Sequence, residues 1–119
     1  MKLHLTKRST WDIEKLYLES VEEWGEKVAD EYFNGLQETL ITIERYPNIL
    51  RKNPKISNHF MVYPYKRHWI ICDKIDDFVF VLTVKFAGMN LASITDEIGP
   101  ILRAESKELH DLLLKSKGK

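Results

Sequence analysis

The chain has 119 residues, of which 44% are apolar and 30% are charged, as is typical of one soluble globular domain. Its 18 basic and 18 acidic side chains cancel to a formal net charge of zero. Neutrality lowers the expectation of polyanion binding, because nucleic-acid binders usually carry excess Lys and Arg on one face. The single cysteine, Cys72, excludes an internal disulfide and is expected to be a small buried side chain.

The sequence shows no apolar block of the size that a secretory signal or a membrane span requires, so we expect a cytoplasmic protein without membrane contact. We predict one domain over residues 1–119, with a core at about 2–90 and a helical extension at about 92–115. No clustering of Cys and His and no glycine-rich phosphate loop is visible, so we expect no metal and no cofactor.

A short strand and a first helix are the first predicted elements. Residues 2–5 alternate apolar and polar side chains, which is typical of a strand. Thr6 is the expected N-cap of a helix whose apolar positions recur every three or four residues from Trp11 to Trp24. Gly25 should end this helix in a left-handed conformation, which glycine adopts without penalty. The periodic stripe predicts that Trp11 and Trp24 pack in the core.

The second predicted helix runs from about Glu26 to Tyr46, because Pro47 cannot continue it. The short break at Gly25 favours an antiparallel hairpin of the two helices. Residues 47–58 are rich in turn-forming side chains and are expected to form a loop.

Three strands are predicted next, at about 59–63, 68–75 and 78–86. The last of them is apolar on both faces, which indicates a central strand that is covered on both sides. Alternation assigns its residues to the two faces: Val79, Val81 and Thr83 to one, and Phe80, Leu82 and Val84 to the other.

The tail repeats apolar residues at helical spacing, and Gly99-Pro100 predicts a break or a kink with Pro100 in the first turn of the last helix. This tail could cover the second face of the central strand, or pack on a second copy of the chain or on a partner. The predicted class is therefore α+β: an N-terminal strand, an antiparallel helix hairpin on an antiparallel sheet with a three-stranded meander, and a C-terminal helix.

The element order and several strings resemble the RelE/ParE toxins of bacterial type II toxin–antitoxin systems, in particular the ParE-like branch. The strings are Trp24-Gly25-Glu26 with Ala29-Asp30-Glu31-Tyr32 after it, the helix end at Tyr46-Pro47, the stretch 60–71 with Lys66-Arg67-His68, and the strand 79–84. The resemblance covers residues 2–90. It implies a curved antiparallel sheet with a helix hairpin against it, and a toxin that a cognate antitoxin holds inactive.

The sequence departs from both branches of this superfamily. ParE-type members, which poison DNA gyrase, commonly read Gly-Arg-His where this chain has Lys66-Arg67-His68. RelE-type members, which cut mRNA on the ribosome, carry an Arg in the middle strand where this chain has Trp69. After the last strand the chain reads Phe86-Ala87-Gly88, whereas ParE-type chains often read His-Gly-Arg.

The departures favour a toxin that acts by protein–protein interaction, with DNA gyrase as the expected target, over an enzyme. A binding toxin needs a shaped surface, and the loop before residue 68 and the segment after residue 85 would lie on neighbouring strands. The candidate target-binding residues are Tyr63, Tyr65, Lys66, Arg67, Trp69, Lys85, Phe86 and Met89.

Two alternatives remain open. A RelE-like, ribosome-dependent mRNA endoribonuclease would use Lys66, Arg67, His68 and Lys85 to move protons and to stabilise charge on the phosphate. A diverged, inactive member would only bind its antitoxin. Expected partners are the antitoxin and gyrase, or the ribosome and mRNA in the nuclease reading. Both a homodimer and a toxin–antitoxin hetero-oligomer are compatible with the sequence.

Overall fold

In a computed structural model that describes residues 1–117, the chain forms five β-strands and three α-helices. The strands are β1 (Lys2–Leu5), β2 (Arg51–Asn53), β3 (Ser57–Tyr65), β4 (His68–Ile75) and β5 (Phe78–Phe86). The helices are α1 (Lys7–Trp24), α2 (Glu26–Arg45) and α3 (Leu91–Lys117), and a short 3-10 helix lies at Pro47–Ile49. This architecture confirms the predicted α+β class.

All five strands join one sheet in the order β1-β5-β4-β3-β2. The strands β3, β4 and β5 form the predicted antiparallel meander, whereas β1 lies parallel to β5. The edge strand β2 falls inside the stretch that was expected to be a loop, and that expectation was wrong for it. Its three residues, Arg51, Lys52 and Asn53, are polar and precede Pro54, so they show no alternating pattern.

The helix α1 begins after Thr6 and ends before Gly25, as the sequence predicts. The Thr6 side chain accepts a hydrogen bond from the Ser9 backbone N–H at 3.2 Å. Gly25 follows the helix with φ 90° and ψ 163°. This conformation is open essentially to glycine alone, although it is not the left-handed helical one that was expected.

One face of the sheet packs against the α1–α2 hairpin. Leu36, Ile43, Ile70 and Val79 are all fully or almost fully buried in this layer. Trp11, in contrast, is 72% exposed and lies two residues from the buried Ile13.

The prediction that both α1 tryptophans pack in the core was wrong. Successive residues of a helix turn by about 100°, so Trp11 is directed away from the face that Ile13 buries. Trp24 is the last residue of α1 and is 53% exposed.

The other face of the sheet is covered by α3, which supplies the second cover that the apolar β5 requires. Leu91 and Leu102 of α3 are buried with Phe60 and Phe80 of the sheet. The helix continues through Pro100, so the predicted break is absent. Apolar side chains on both sides of the proline pack on the same layer, and this packing outweighs the local cost of the proline.

A bulge in β5 changes the predicted faces of two residues, Thr83 and Val84. Ile71 of β4 pairs with Thr83, whereas Cys72 pairs with Val81, so Leu82 is an extra residue on β5. Such a bulge reverses the alternation beyond it. Val84 therefore joins Val81 on the side of the helix hairpin, instead of the side of α3.

None of the helices within residues 1–117 has the length and apolar character that crossing a membrane would require.

Candidate target-binding surface

The turn between β3 and β4 places two exposed cations at one end of the sheet. Lys66 and Arg67 form this turn, and both side chains are exposed. Lys66 has φ 50°, in the left-handed region that glycine occupies at least cost. Its ammonium nitrogen lies 5.4 Å from the ring centroid of Tyr32 and 5.5 Å from that of Tyr65. These are cation–π distances, so the two rings support the lysine side chain from below.

The segment after β5 lies beside this turn. The Ala87 backbone N–H donates to the Arg67 carbonyl at 2.8 Å. Phe86 and Met89 are 48% and 46% exposed, so both present apolar surface next to the turn. A Cβ on Gly88 would collide with the Phe86 ring, so glycine lets the segment fold tightly around that ring.

The structure thus brings the predicted loop and the post-strand segment together in one exposed surface. We call Lys66, Arg67, Phe86 and Met89 the hairpin patch. It combines positive charge with exposed apolar area, as protein-binding surfaces often do.

A tyrosine and a histidine pair beneath the patch. The Tyr32 hydroxyl lies 2.5 Å from Nδ1 of His68 and 3.4 Å from the Tyr65 carbonyl oxygen. Burial raises the pKa of Tyr32 to about 12, and burial lowers the pKa of His68. At neutral pH the phenol therefore keeps its proton and the imidazole is neutral, so the two groups share an uncharged hydrogen bond. His68 also faces Phe86 across the strands, with ring centroids 5.8 Å apart.

Both candidate tyrosines, Tyr63 and Tyr65, face the helix hairpin. Tyr65 is only 7% exposed, and its hydroxyl donates to the Tyr32 carbonyl at 2.7 Å. A Cβ on Gly35 of α2 would overlap this hydroxyl, so α2 approaches β3 closely at a glycine. Tyr63 is half-buried and packs against the same layer. Tyr65 is therefore a core residue that supports the patch, and it offers the patch no exposed side-chain surface.

Trp69 and Lys85 lie on the opposite sheet face from His68. They are register partners across β4 and β5, and Trp69 packs against the α3 layer. The Lys85 ammonium lies 3.9 Å from a carboxylate oxygen of Asp12 on α1. The same oxygen accepts a hydrogen bond from the Thr83 hydroxyl. Asp12 thus ties the lysine to α1, away from the hairpin patch.

The four residues of the nuclease alternative therefore do not lie in one place. Lys66, Arg67 and His68 are adjacent, whereas Lys85 is occupied elsewhere. Half-buried Tyr32, whose pKa is raised, is not a base at neutral pH, although neutral His68 could accept a proton. Cys72 is fully buried, as predicted, and burial raises the pKa of its thiol, which removes it as a nucleophile. Over residues 1–117, no three carboxylate, histidine or cysteine side chains are placed to hold a metal.

Sequence reasoning missed three residues that shape this surface. Tyr32 was named only within one string of the resemblance, and Gly35 and Asp12 were not singled out. Tyr32 and Gly35 lie three residues apart, so both face the sheet on adjacent turns of the helix. That spacing could have suggested a tyrosine hydroxyl next to a position where the helix backbone can be approached closely.

Comparison with known proteins gives a consistent assignment. A family model described as the ParE toxin of the type II toxin–antitoxin system parDE matches residues 3–91. No curated protein matches the chain. A solved chain of the chromosomal ParDE toxin–antitoxin system from P. aeruginosa is similar in structure, with a TM-score of 0.64 and 14% sequence identity. That match covers 72% of this chain and 95% of the solved chain, so the likeness concerns the fold.

Proposed function

Since this chain belongs to the ParE toxin family of type II toxin–antitoxin systems, we propose that it inhibits its target by protein–protein binding through the hairpin patch. The observation that carries this proposal is the exposure of Phe86 and Met89 beside two cations. Binding hot spots often combine apolar or aromatic side chains with Arg. DNA gyrase in complex with DNA is the proposed target.

The proposed partner of the toxin is a cognate antitoxin acting in the cytoplasm. Neutralisation requires that the antitoxin cover or distort the hairpin patch. A segment laid over Phe86 and Met89 would remove their apolar surface from water, which favours association. It would also bring carboxylates, if the segment has them, close to the exposed Arg67.

The proposal is tested with purified protein in a gyrase supercoiling assay. The wild-type chain should inhibit supercoiling, and Arg67→Ala should weaken inhibition by roughly 10–100-fold, since a binding hot spot contributes about 1–3 kcal/mol. Lys107→Ala, an exposed lysine on α3, is the matched control and should inhibit like wild type. Equal inhibition by the two variants would remove the hairpin patch from the mechanism.

A second candidate function is cleavage of ribosome-bound mRNA. One observation favours it: neutral His68 lies beside Lys66 and Arg67, so a proton acceptor and two cations share one place. An mRNA cleavage assay with the same variants separates the two functions. Cleavage without any effect on supercoiling, lost by several orders of magnitude in Arg67→Ala, would replace the gyrase proposal. Induced expression without growth arrest would instead indicate an inactive member that only binds its antitoxin.

A further inference from the structure

The net charge of zero conceals a strong separation of charge along the chain. Residues 45–72 contain six of the 18 basic residues and none of the 18 acidic ones, so this segment carries +6 and the remainder carries −6. Residues 9–44, which form most of the α1–α2 hairpin, contain ten acidic and only two basic residues. The fold therefore places an acidic helix layer against a sheet whose far edge is basic.

Five of these cations follow one edge of the sheet. Arg51 and Lys52 belong to the edge strand β2, and Lys55 lies in the turn between β2 and β3. Lys66 and Arg67 form the turn at the other end of β3. We call these five residues the basic edge. The nine residues of β3 span about 30 Å, so the basic edge is an extended row and not a point.

The cations of the basic edge are not used to hold the fold together by ion pairs. All five side chains are exposed. Within residues 1–117, the ion pairs involve Arg8, Lys15, Lys85 and His110, and none of the five. Five exposed cations that repel one another cost stability unless an anionic partner gains from them.

Flat side chains lie beside this row. Arg51 and Lys52 line a cleft of about 350 Å³ together with Tyr63, Pro64 and Trp69. Both aromatic side chains are half-buried, Tyr63 on the side of the helix hairpin and Trp69 on the side of α3, so one ring lies on each side of this edge. Cations that follow a line, with rings beside them, are the arrangement with which proteins bind nucleic-acid strands.

The edge backbone argues against an extended acidic peptide as the partner. Peptides that add a strand to a sheet need a row of free backbone donors and acceptors. Here β2 has three residues, with a register shift between Lys52 and Asn53, and Pro54 follows. Pro64 in β3, which lies beyond the start of β2, offers no N–H. These features block strand addition, whereas a phosphodiester chain requires only the side-chain charges.

We propose that the basic edge is a nucleic-acid site that binds the phosphodiester backbone. The proposal goes beyond inhibition through the hairpin patch, because Arg51, Lys52 and Lys55 lie outside that patch. The acidic helix hairpin repels the same strand and so limits binding to this edge.

Fluorescence anisotropy tests the proposal, with a labelled single strand of about 12 nucleotides and a duplex of the same length as probes. Wild-type protein should bind at least one of them at about 50 mM salt. If all five cations contact phosphates, binding to the single strand should weaken by about 100-fold between 50 and 200 mM salt. The double variant Lys52→Gln/Lys55→Gln should make the logarithmic salt slope for the single strand shallower by about 1.4.

The matched control is Lys107→Gln/Lys115→Gln, which removes the same charge from exposed positions of α3. The control should keep the wild-type salt slope. Absence of binding, or an equal change of slope in the two double variants, would overturn the proposal. Equally tight binding of polyglutamate of similar length at the same ionic strength would also overturn it, because the basic edge would then not distinguish nucleic acid from an acidic polypeptide. Gyrase inhibition in the Lys52→Gln/Lys55→Gln variant is measured in parallel and should stay at the wild-type level.

Discussion

The packing of α3 on the sheet can be tested by removing one side chain. Leu102 is fully buried between Phe60, Ile71 and Phe80, all of which are at most 2% exposed. Leu102→Ala deletes three carbon atoms from this layer and leaves a cavity, because neighbours on a sheet and a long helix relax only in part. Such changes cost about 2–5 kcal/mol, against a total stability of about 5–15 kcal/mol for a small domain.

The measurement is urea unfolding followed by circular dichroism, with Leu112→Ala as the control on the same helix. Leu112 is 56% exposed, so its truncation should change the free energy of unfolding by no more than about 0.5 kcal/mol. A loss of about 3 kcal/mol in Leu102→Ala would lower the urea midpoint by about 1–2 M. If both variants unfold at the same midpoint, α3 does not pack on the sheet in solution, and the second face of β5 must be covered in another way.

Three further outcomes follow from the hairpin patch and its support. Lys66→Gly should be more stable than Lys66→Ala by about 1 kcal/mol, because both lose the cation–π contact and only alanine keeps the cost of positive φ; equal unfolding midpoints would contradict this. Gly35→Ala should destabilise by about 1–3 kcal/mol despite the better helix propensity of alanine, and Tyr65→Phe should recover part of the loss in thermal unfolding. His68 should titrate below 6.5 in NMR spectra of the folded protein, because burial lowers its pKa. The unfolded chain then binds more protons than the folded one, so stability falls as the pH drops below about 6.5. A titration at or above 6.5 would contradict the burial of this ring.

The meander and the helix hairpin could be predicted because their signals are local. Periodicity of three to four residues marks α1 and α2, and Gly25 and Pro47 mark their ends. Short apolar runs separated by two-residue turns mark β3, β4 and β5. In each case a pattern of neighbouring residues decides the element, and the structure shows the same boundaries within a few residues.

The errors arise where distant residues decide. Pro100 stays inside α3 because Leu91 and Leu102, on either side of it, pack on the same sheet. The bulge at Leu82, which moves Val84 to the other face, depends on its pairing with β4. Trp11 was placed in the core by spacing alone, although the hydrophobic stripe of α1 is centred on Ile13. The outcomes at Pro100 and Leu82 have no marker within one turn of helix or one strand, whereas the two-residue spacing of Trp11 and Ile13 already places them on different faces of α1.

The candidate site shows the same division between local and distant information. The sequence was enough to predict that residues 66–67 and 86–89 lie on one surface. In an antiparallel pair the start of one strand lies beside the end of its neighbour, as the start of β4 lies beside the end of β5. The sequence could not separate Lys85 from that surface, since its partner Asp12 lies more than seventy positions earlier in the chain. It also could not show that Tyr65 turns inward, because alternation fixes the side of the sheet and not the depth of burial.

The expectation drawn from net charge illustrates a further limit. A total of zero lowered the expectation of polyanion binding, yet +6 and −6 lie on separate parts of the chain. Charges at a protein surface are screened over about 8–10 Å in physiological salt, whereas β3 alone spans about 30 Å. A polyanion at Arg51, Lys52 and Lys55 therefore experiences mainly those nearby cations, whereas Lys66 lies over Tyr32 of α2 and is closer to the acidic helix hairpin. For a domain of this size, the charge of each face decides which partners approach it, and that charge can be counted only once the topology assigns each segment to a face.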